Sequence, residues 1–436
     1  MLVYGDVERR VSARAVQQRV GDLLAAAAAE PPSLARHALL VEALLLAGDL
    51  AGGTLDREFA ARGADDVSDA TTRGAHLVMA IARLVETSWR SAFGEFGGTD
   101  EAARRLAAFP ATGTIVTKPT EGYAFYALYP ELHAEAARAA RLPPATRVIG
   151  IRSIGVSLAA MVAAALGAAP PVTLRPHGHP FRRTVRVAPE LERALLAGDP
   201  PAFAIVDEGP GLSGSSFGAV ADWLEEHGVA RRRLHFFPGH ANPPGPEASA
   251  TQRARWDEVA RHVVAFEVGL LPRLQRWVED LVGPLDGPLR DISAGRWRAL
   301  AGDPGAALPA APGGERVKYL ARRADQRWLV KFAGLGAEGR RKQERAQQLF
   351  AAGFGAEPVG LCHGFLVVRW VEGVPLPVAP ADRPHLVARL GRYLAFRARL
   401  PAPDDAGASL ARLCEMALYN TREALGSAAA AALLRQ

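Results

Sequence analysis

The segment AFAIVDEGPGLSGSS, residues 202–216, sets an apolar run directly before two adjacent carboxylates and then a glycine- and serine-rich turn. The run has the continuous apolar character of a strand covered on both faces. Beyond the turn, Phe217, Val220, Ala221 and Leu224 fall at helical spacing. Backbone N–H groups at Gly214, Ser215 and Ser216 are then free at a helix start, and with Ser213 they form a cradle for a phosphate. Asp207 and Glu208, at the carboxyl end of the same strand, can accept hydrogen bonds from sugar hydroxyls and stabilise positive charge developing on a ring. A phosphorylated sugar satisfies both halves. An ordinary strand-to-helix turn is the alternative the residues leave open.

Two further segments carry compatible chemistry. GIRSIGVSLAA, residues 150–160, follows the strand-like RVIGI and opens an Ala-rich helix. There, Arg152 and the main chain at Ser153, Ile154 and Gly155 can neutralise a polyanion, or else form a tight turn with a solvated arginine. LRPHGHPFRRTVRV, residues 174–187, gathers Arg175, Arg182 and Arg183 around His177 and His179 in a basic hairpin. A His-Gly-His pair needs further ligands to hold zinc, and none stands at metal spacing, so no protein-held metal is expected there.

In this order the three segments resemble the type I phosphoribosyltransferases. The resemblance covers about residues 147–240. It implies that Asp207 and Glu208 bind the ribose hydroxyls of phosphoribosyl pyrophosphate and act with Arg152 in catalysis. Ser213, Gly214, Ser215 and Ser216 would bind the 5-phosphate, and Ser153, Ile154 and Gly155 the pyrophosphate. The hairpin with Arg175, His177, His179, Arg182 and Arg183 would be the mobile loop that closes over the site and excludes water. The implied activity is a pentosyl-type glycosyl transfer: a nucleophile displaces pyrophosphate from C1 of the ribose, with Mg²⁺ bound chiefly through substrate oxygens. EGPGLSG is one residue longer than the family's usual spacing, and Gly-Pro-Gly leaves the general base unassigned. Tyr123, Phe125, Tyr126 and Tyr129 are candidates for contact with the accepting molecule.

The elements that must position these residues follow from the surrounding pattern. Residues 1–142 read as helical, with apolar runs such as HALLVEALLLAGDLA broken at Pro31-Pro32, Gly52-Gly53 and Gly97-Gly98. Residues 143–245 alternate short apolar strands (147–151, 172–175, 184–187, 202–206, 233–238) with helices, which predicts an α/β, doubly wound and mostly parallel sheet. Residues 246–301 read as a helical extension, and GDPGAALPAAPGGE, residues 302–315, as a linker. Residues 316–436 read as a smaller α+β domain. Its VKYLARR and WLVKFAGLG segments, and the helix holding Glu344, are similar to the N-lobe of HipA-like and small-molecule kinases. That likeness implies a Lys331–Glu344 pair holding nucleotide phosphates. Between Val371 and Gln436 there is no His-x-Asp with a following Asn and no Asp-Phe-Gly of the kind such kinases use for catalysis.

Composition bounds these readings. At roughly 100 to 200 residues per domain, 436 residues hold two to four domains. Apolar residues make up 49% and charged residues 22%, so collagen-like and wholly disordered classes are excluded. A net charge of +6, spread along the chain, does not mark a dedicated nucleic-acid binder, and nucleic acid is not expected as a partner. Two cysteines, Cys362 and Cys414, support neither a disulfide framework nor a zinc site. The acidic, weakly apolar start MLVYGDVERR does not read as a secretory signal, and the Ala-rich stretch 153–174 is broken by Gly155, Gly167, Pro170 and Pro171. A cytoplasmic protein without a membrane partner is expected. A second copy of the chain is a candidate partner.

Overall fold

The computed structural model describes residues 8–301, 315–373, 383–400 and 409–433, which leaves most of the linker 302–315 outside the described residues. The N-terminal region is built on helices, as the apolar runs predict. It comprises β1 (Arg9–Ser12), α1 (Ala13–Ala29), α2 (Leu34–Arg62), α3 (Asp69–Arg90), α4 (Asp100–Ala108), β2 (Thr114–Thr117), α5 (Glu121–Ala124) and α6 (Pro130–Ala140). Serine caps begin the three long helices: Ser12, Ser33 and Ser68 accept from the N–H groups of Ala15, Arg36 and Thr71. Gly63 ends α2 in the left-handed region, at φ 80°. β1 and β2 form an antiparallel ribbon that the sequence pattern did not suggest.

The central region comprises β3 (Arg147–Ile151), α7 (Gly155–Leu166), β4 (Val172–Leu174), β5 (His177–His179), β6 (Arg182–Thr184), α8 (Pro189–Leu196), β7 (Phe203–Val206), α9 (Ser215–Glu226), β8 (Leu234–Phe237), α10 (Ala250–Glu258), β9 (Ala260–Arg261), α11 (Phe266–Gly269) and α12 (Leu271–Val282). Five strands form a parallel sheet in the order β4-β3-β7-β8-β9. Alternate residues of each strand enter two different cores. Val148, Ala204, Val206 and Phe237 join the core shared with the N-terminal helices, whereas Ile149, Phe203, Ile205 and Phe236 pack with Phe217, Val220 and Trp256. A sheet buried on both faces explains the uninterrupted apolar runs. TVRV, residues 184–187, is not a sheet strand: Thr184 ends the β5–β6 hairpin, and Val187 makes an isolated bridge with Asp65.

The third region comprises β10 (Arg290–Asp291), β11 (Lys318–Arg323), β12 (Gln326–Phe332), α13 (Gly336–Ala351), β13 (Pro358–Cys362), β14 (Phe365–Arg369), α14 (Arg383–Arg399), α15 (Leu410–Leu425) and α16 (Ser427–Leu433). Its five strands form an antiparallel sheet in the order β10-β11-β12-β14-β13. The stretch read as a helical extension therefore supplies one strand, β9, to the parallel sheet and another, β10, to the antiparallel one. Tyr319, Phe332 and Phe365 belong to the same buried cluster as Leu40, Trp89 and Tyr129 of the helical region. Among the described residues one helix, Leu34–Arg62, is long and apolar enough to cross a membrane; 72% of its apolar window is buried inside the protein, as in a core helix.

Candidate functional site

The chain leaves β3 for β4 on one side and returns to β7 on the other. In a parallel sheet such a reversal opens a crevice beyond the carboxyl ends of the two neighbouring strands. The loops after β3 and β7 both enter it, so the structure brings Ser153–Gly155 and Asp207–Ser216 to one place. Close packing there requires glycine. A Cβ on Gly155 would lie 2.6 Å from the Val206 carbonyl oxygen, and one on Gly150 would collide with the Gly155 carbonyl. The Arg152–Ser153 peptide is cis.

The Asp207 carboxylate accepts the Glu208 N–H at 2.8 Å. Burial pushes its pKa up to about 7, against the opposing pull of that hydrogen bond and of the charges on Arg183 and Arg175. Glu208 is pushed up to about 8, first by burial and then by repulsion from Asp207 and Glu121, although the Gly122 N–H donates to it. That contact is close: a Cβ on Gly122 would lie 2.8 Å from Glu208 Oε1. The aromatic segment singled out around Gly122 thus meets the acidic pair through its backbone. Of its rings, Tyr126 is exposed near the acids, whereas Tyr123 and Tyr129 are buried and bonded to Ser157 and to the His363 carbonyl.

The expected helix start is present, but two of its three N–H groups are engaged: Gly214 donates to the Pro210 carbonyl at 2.7 Å and Ser215 to Ser213 Oγ at 3.2 Å. Gly214, at φ 67°, precedes α9, whose first turn holds Ser215 and Ser216. The Ser213 and Ser215 hydroxyls are engaged as well. Ser213 donates to Ser215 Oγ at 3.0 Å, and Ser215 donates to the Pro180 carbonyl at 2.7 Å. Pro180 is at the tip of the β5–β6 hairpin, so the hairpin lies against the cradle. Within it, His177 faces Thr184 at 3.4 Å and His179 accepts the Phe181 N–H at 3.2 Å. Arg182 is exposed and Arg183 half-buried.

Three expectations are corrected. Arg152 does not project toward a departing anion. It is buried, bonded to Asp56 at 2.9 Å, to the Thr173 carbonyl at 3.1 Å and to Asp65. Arg175 is likewise drawn away from the hairpin: its Nε donates to Asp56 at 2.7 Å, its backbone N–H to Asp65 at 2.7 Å and its Nη1 to the Arg152 carbonyl at 3.0 Å. Holding one buried and one half-buried guanidinium side by side requires fixed carboxylate partners, and α2 and its exit loop supply them. The Lys331–Glu344 pair is not formed either. Both side chains are exposed, Lys331 lies opposite Lys318 on β11, and Glu338 pairs instead with Lys342 at 2.7 Å.

Searches of protein families, curated proteins and solved structures find no match to this chain. Its site is therefore interpreted from its own geometry.

That geometry includes residues the sequence reading missed. A cavity of about 360 Å³ opens from Glu208 between the parallel sheet, the α5–α6 segment and the antiparallel sheet. Tyr126, His133, His240, Glu267, Asp291, Arg296 and Tyr319 contribute to its lining. His240 follows β8 and crowds the acidic loop: a Cβ on Gly209 would lie 2.9 Å from its Nε2. Burial lowers its pKa, leaving a neutral imidazole at pH 7. His240 was legible in principle, because it stands just past the carboxyl end of a neighbouring parallel strand. Asp291, Arg296 and Tyr319 were not, since they come from the antiparallel sheet and the turn beside it, which local pattern cannot place next to the parallel one.

Proposed function

We propose that the chain is a phosphoribosyltransferase-type enzyme, which moves a phosphoribosyl group from phosphoribosyl pyrophosphate to a small-molecule acceptor and releases pyrophosphate. The observation that carries this reading is the convergence at the β3/β7 reversal: an acidic pair, a helix-start cradle and a glycine-tight second loop meet beside a cavity that shares Glu208. Asp207 and Glu208 bind the ribose hydroxyls and stabilise positive charge at C1 as its bond to the pyrophosphate oxygen breaks, the electron pair leaving with pyrophosphate. An acceptor nitrogen in the cavity forms the new bond to C1, and His240 takes its proton. With Arg152 and Arg175 committed to Asp56 and Asp65, the leaving group is met by the main chain at Ile154 and Gly155 and by Arg183. The 5-phosphate takes the place of the Pro180 carbonyl at Ser213 and Ser215, so donor binding lifts the hairpin from the cradle. Mg²⁺ would be held chiefly through the substrate's own oxygens, since Asp207, Glu208 and Glu121 do not form a convergent ligand group, and when bound it would supply charge neutralisation for pyrophosphate.

Isothermal titration with phosphoribosyl pyrophosphate and Mg²⁺ tests this directly. Binding is expected in the wild type, with a loss of at least about tenfold in the Asp207→Asn, Glu208→Gln variant. Equal affinity in both would refute the assignment of the acids. The neutralised arginines and the occupied cradle favour a second reading, a ribose-phosphate or nucleotide sensor without turnover. Tight donor binding with no pyrophosphate release in an acceptor screen would select it. A kinase function through the C-terminal domain loses its main support with the missing Lys331–Glu344 pair.

A further inference from the structure

His37 on α2, Glu131 on α6 and His363 in the β13–β14 turn meet in the interior, although 94 and 232 residues separate the two histidines from Glu131. Glu131 Oε1 lies 3.0 Å from His37 Nε2 and 2.6 Å from His363 Nε2, and all three side chains are essentially inaccessible. Among the described residues, this is the one group of three or more such side chains whose ligand atoms lie within 4.8 Å of one another. We propose that these three side chains form a structural site for a divalent transition-metal ion of the zinc type, stapling the helical region to the antiparallel sheet.

Three observations beyond the clustering support a cation. Glu131 Oε2 is buried with no hydrogen-bond partner, so hydrogen bonding within the triad leaves one carboxylate oxygen unsatisfied, whereas a metal can take both. The outer contacts are those that orient ligands. His37 Nδ1 lies 3.0 Å from Ser88 Oγ, directing Nε2 at the carboxylate, and the Tyr129 hydroxyl donates to the His363 carbonyl at 2.7 Å. The surroundings are aromatic: His37 packs on Trp89 and Phe93, and His363 on Trp277 and Tyr129. That shell excludes the water that would otherwise solvate the carboxylate.

Ligand chemistry agrees. Two imidazole nitrogens and a carboxylate suit zinc-like ions rather than Mg²⁺ or Ca²⁺, which take oxygen ligands. With bonds of about 2.0–2.2 Å, tetrahedral ligand atoms sit about 3.3 Å apart. The oxygen–nitrogen separations must therefore open by roughly 0.3–0.7 Å, within reach of rotation of one carboxylate.

Elemental analysis of the full-length protein, purified without chelator, is the test. About one equivalent of zinc or a similar metal per chain is expected, and stripping it should lower Tm by at least about 5 °C, with recovery on adding Zn²⁺. Co²⁺ should restore the fold and give the visible d–d absorption of a low-coordinate site. Glu131→Gln should abolish stoichiometric metal, whereas a His177→Ala, His179→Ala variant, altered in the exposed hairpin, should keep it. If Glu131→Gln fails to fold, metal content and chelator response of the wild type decide the matter. No stoichiometric metal, together with a Tm indifferent to chelator and to added Zn²⁺, would overturn the proposal. So would metal that is lost from the hairpin variant and kept by Glu131→Gln.

Discussion

Asp207 and Glu208 titrate higher in the folded protein than free carboxyls do, at about 7 and about 8 against 3.8 and 4.5. The folded state then binds more protons than the unfolded one across that interval, so stability falls as pH rises from about 4 to about 8. The Asp207→Asn, Glu208→Gln variant removes this penalty. Scanning calorimetry should show it melting several degrees above wild type at about pH 8.5 and together with wild type near pH 4. Equal melting at both pH values would mean that the acids are solvated. Donor affinity should move the opposite way, strengthening as pH rises through the same interval, because only ionised carboxylates accept sugar hydroxyls fully. His240 has a different signature. His240→Ala should lower kcat by roughly a hundredfold while donor Kd changes little, the pattern of a lost proton acceptor rather than of lost binding. A matched loss of donor affinity would make it a binding residue instead. The acids were legible in the sequence because an apolar strand ends on them. The burial of Arg152 was not, because its partners Asp56 and Asp65 lie nearly a hundred positions earlier and carry no local mark.

At the scale of elements, the hairpin β5–β6 and the start of α9 form one unit through the Pro180 carbonyl and the Ser213 and Ser215 hydroxyls. A hydrogen bond of this kind contributes about 1 kcal/mol net, a factor of about five in an opening equilibrium. A Ser213→Ala, Ser215→Ala variant should therefore exchange amide hydrogens across 177–184 about five- to tenfold faster than wild type, with α9 itself unchanged. Unchanged exchange would mean that side-chain packing on α9 alone holds the hairpin. Strands β3, β7 and β8 were recognisable because burial on both faces makes each an unbroken apolar run. The two-residue strands β9 and β10 and the β1–β2 ribbon were not, because so few residues show no period and their pairing is set by distant partners. TVRV has the composition of a strand, yet only Val187 pairs outside the hairpin.

For the whole molecule, the antiparallel sheet is not an appendage on a linker. Phe332, Phe365 and Val367 share a continuous core with Leu40, Trp89 and Tyr129, and the Leu335 N–H donates to the Tyr123 carbonyl at 2.9 Å. Arg340 of α13 donates to Glu42 of α2 at 2.6 Å, a carboxylate only 3% exposed. The same sheet supplies Asp291 and Tyr319, and the segments flanking its strands supply Ser293, Arg296 and Val317, to the cavity beside Glu208, so this region closes the candidate site and completes the core together. Composition shifts near residues 302–315 suggested independent domains, but a linker in sequence does not require separation in space. Uncovering large apolar side chains costs about 1.5–3 kcal/mol each, and total stabilities are only about 5–15 kcal/mol, so exposing several at once should exceed what the remaining fold can bear. Calorimetry of the full chain should accordingly give one cooperative transition for the helical region and the antiparallel sheet. A chain ending at Ala301 should be insoluble or lack a cooperative melt, since Tyr129 and Trp277 lose their cover and Glu131 loses His363. A truncated chain that melts at the wild-type temperature would show that the two regions stand independently, and would move the acceptor cavity's third side out of the site.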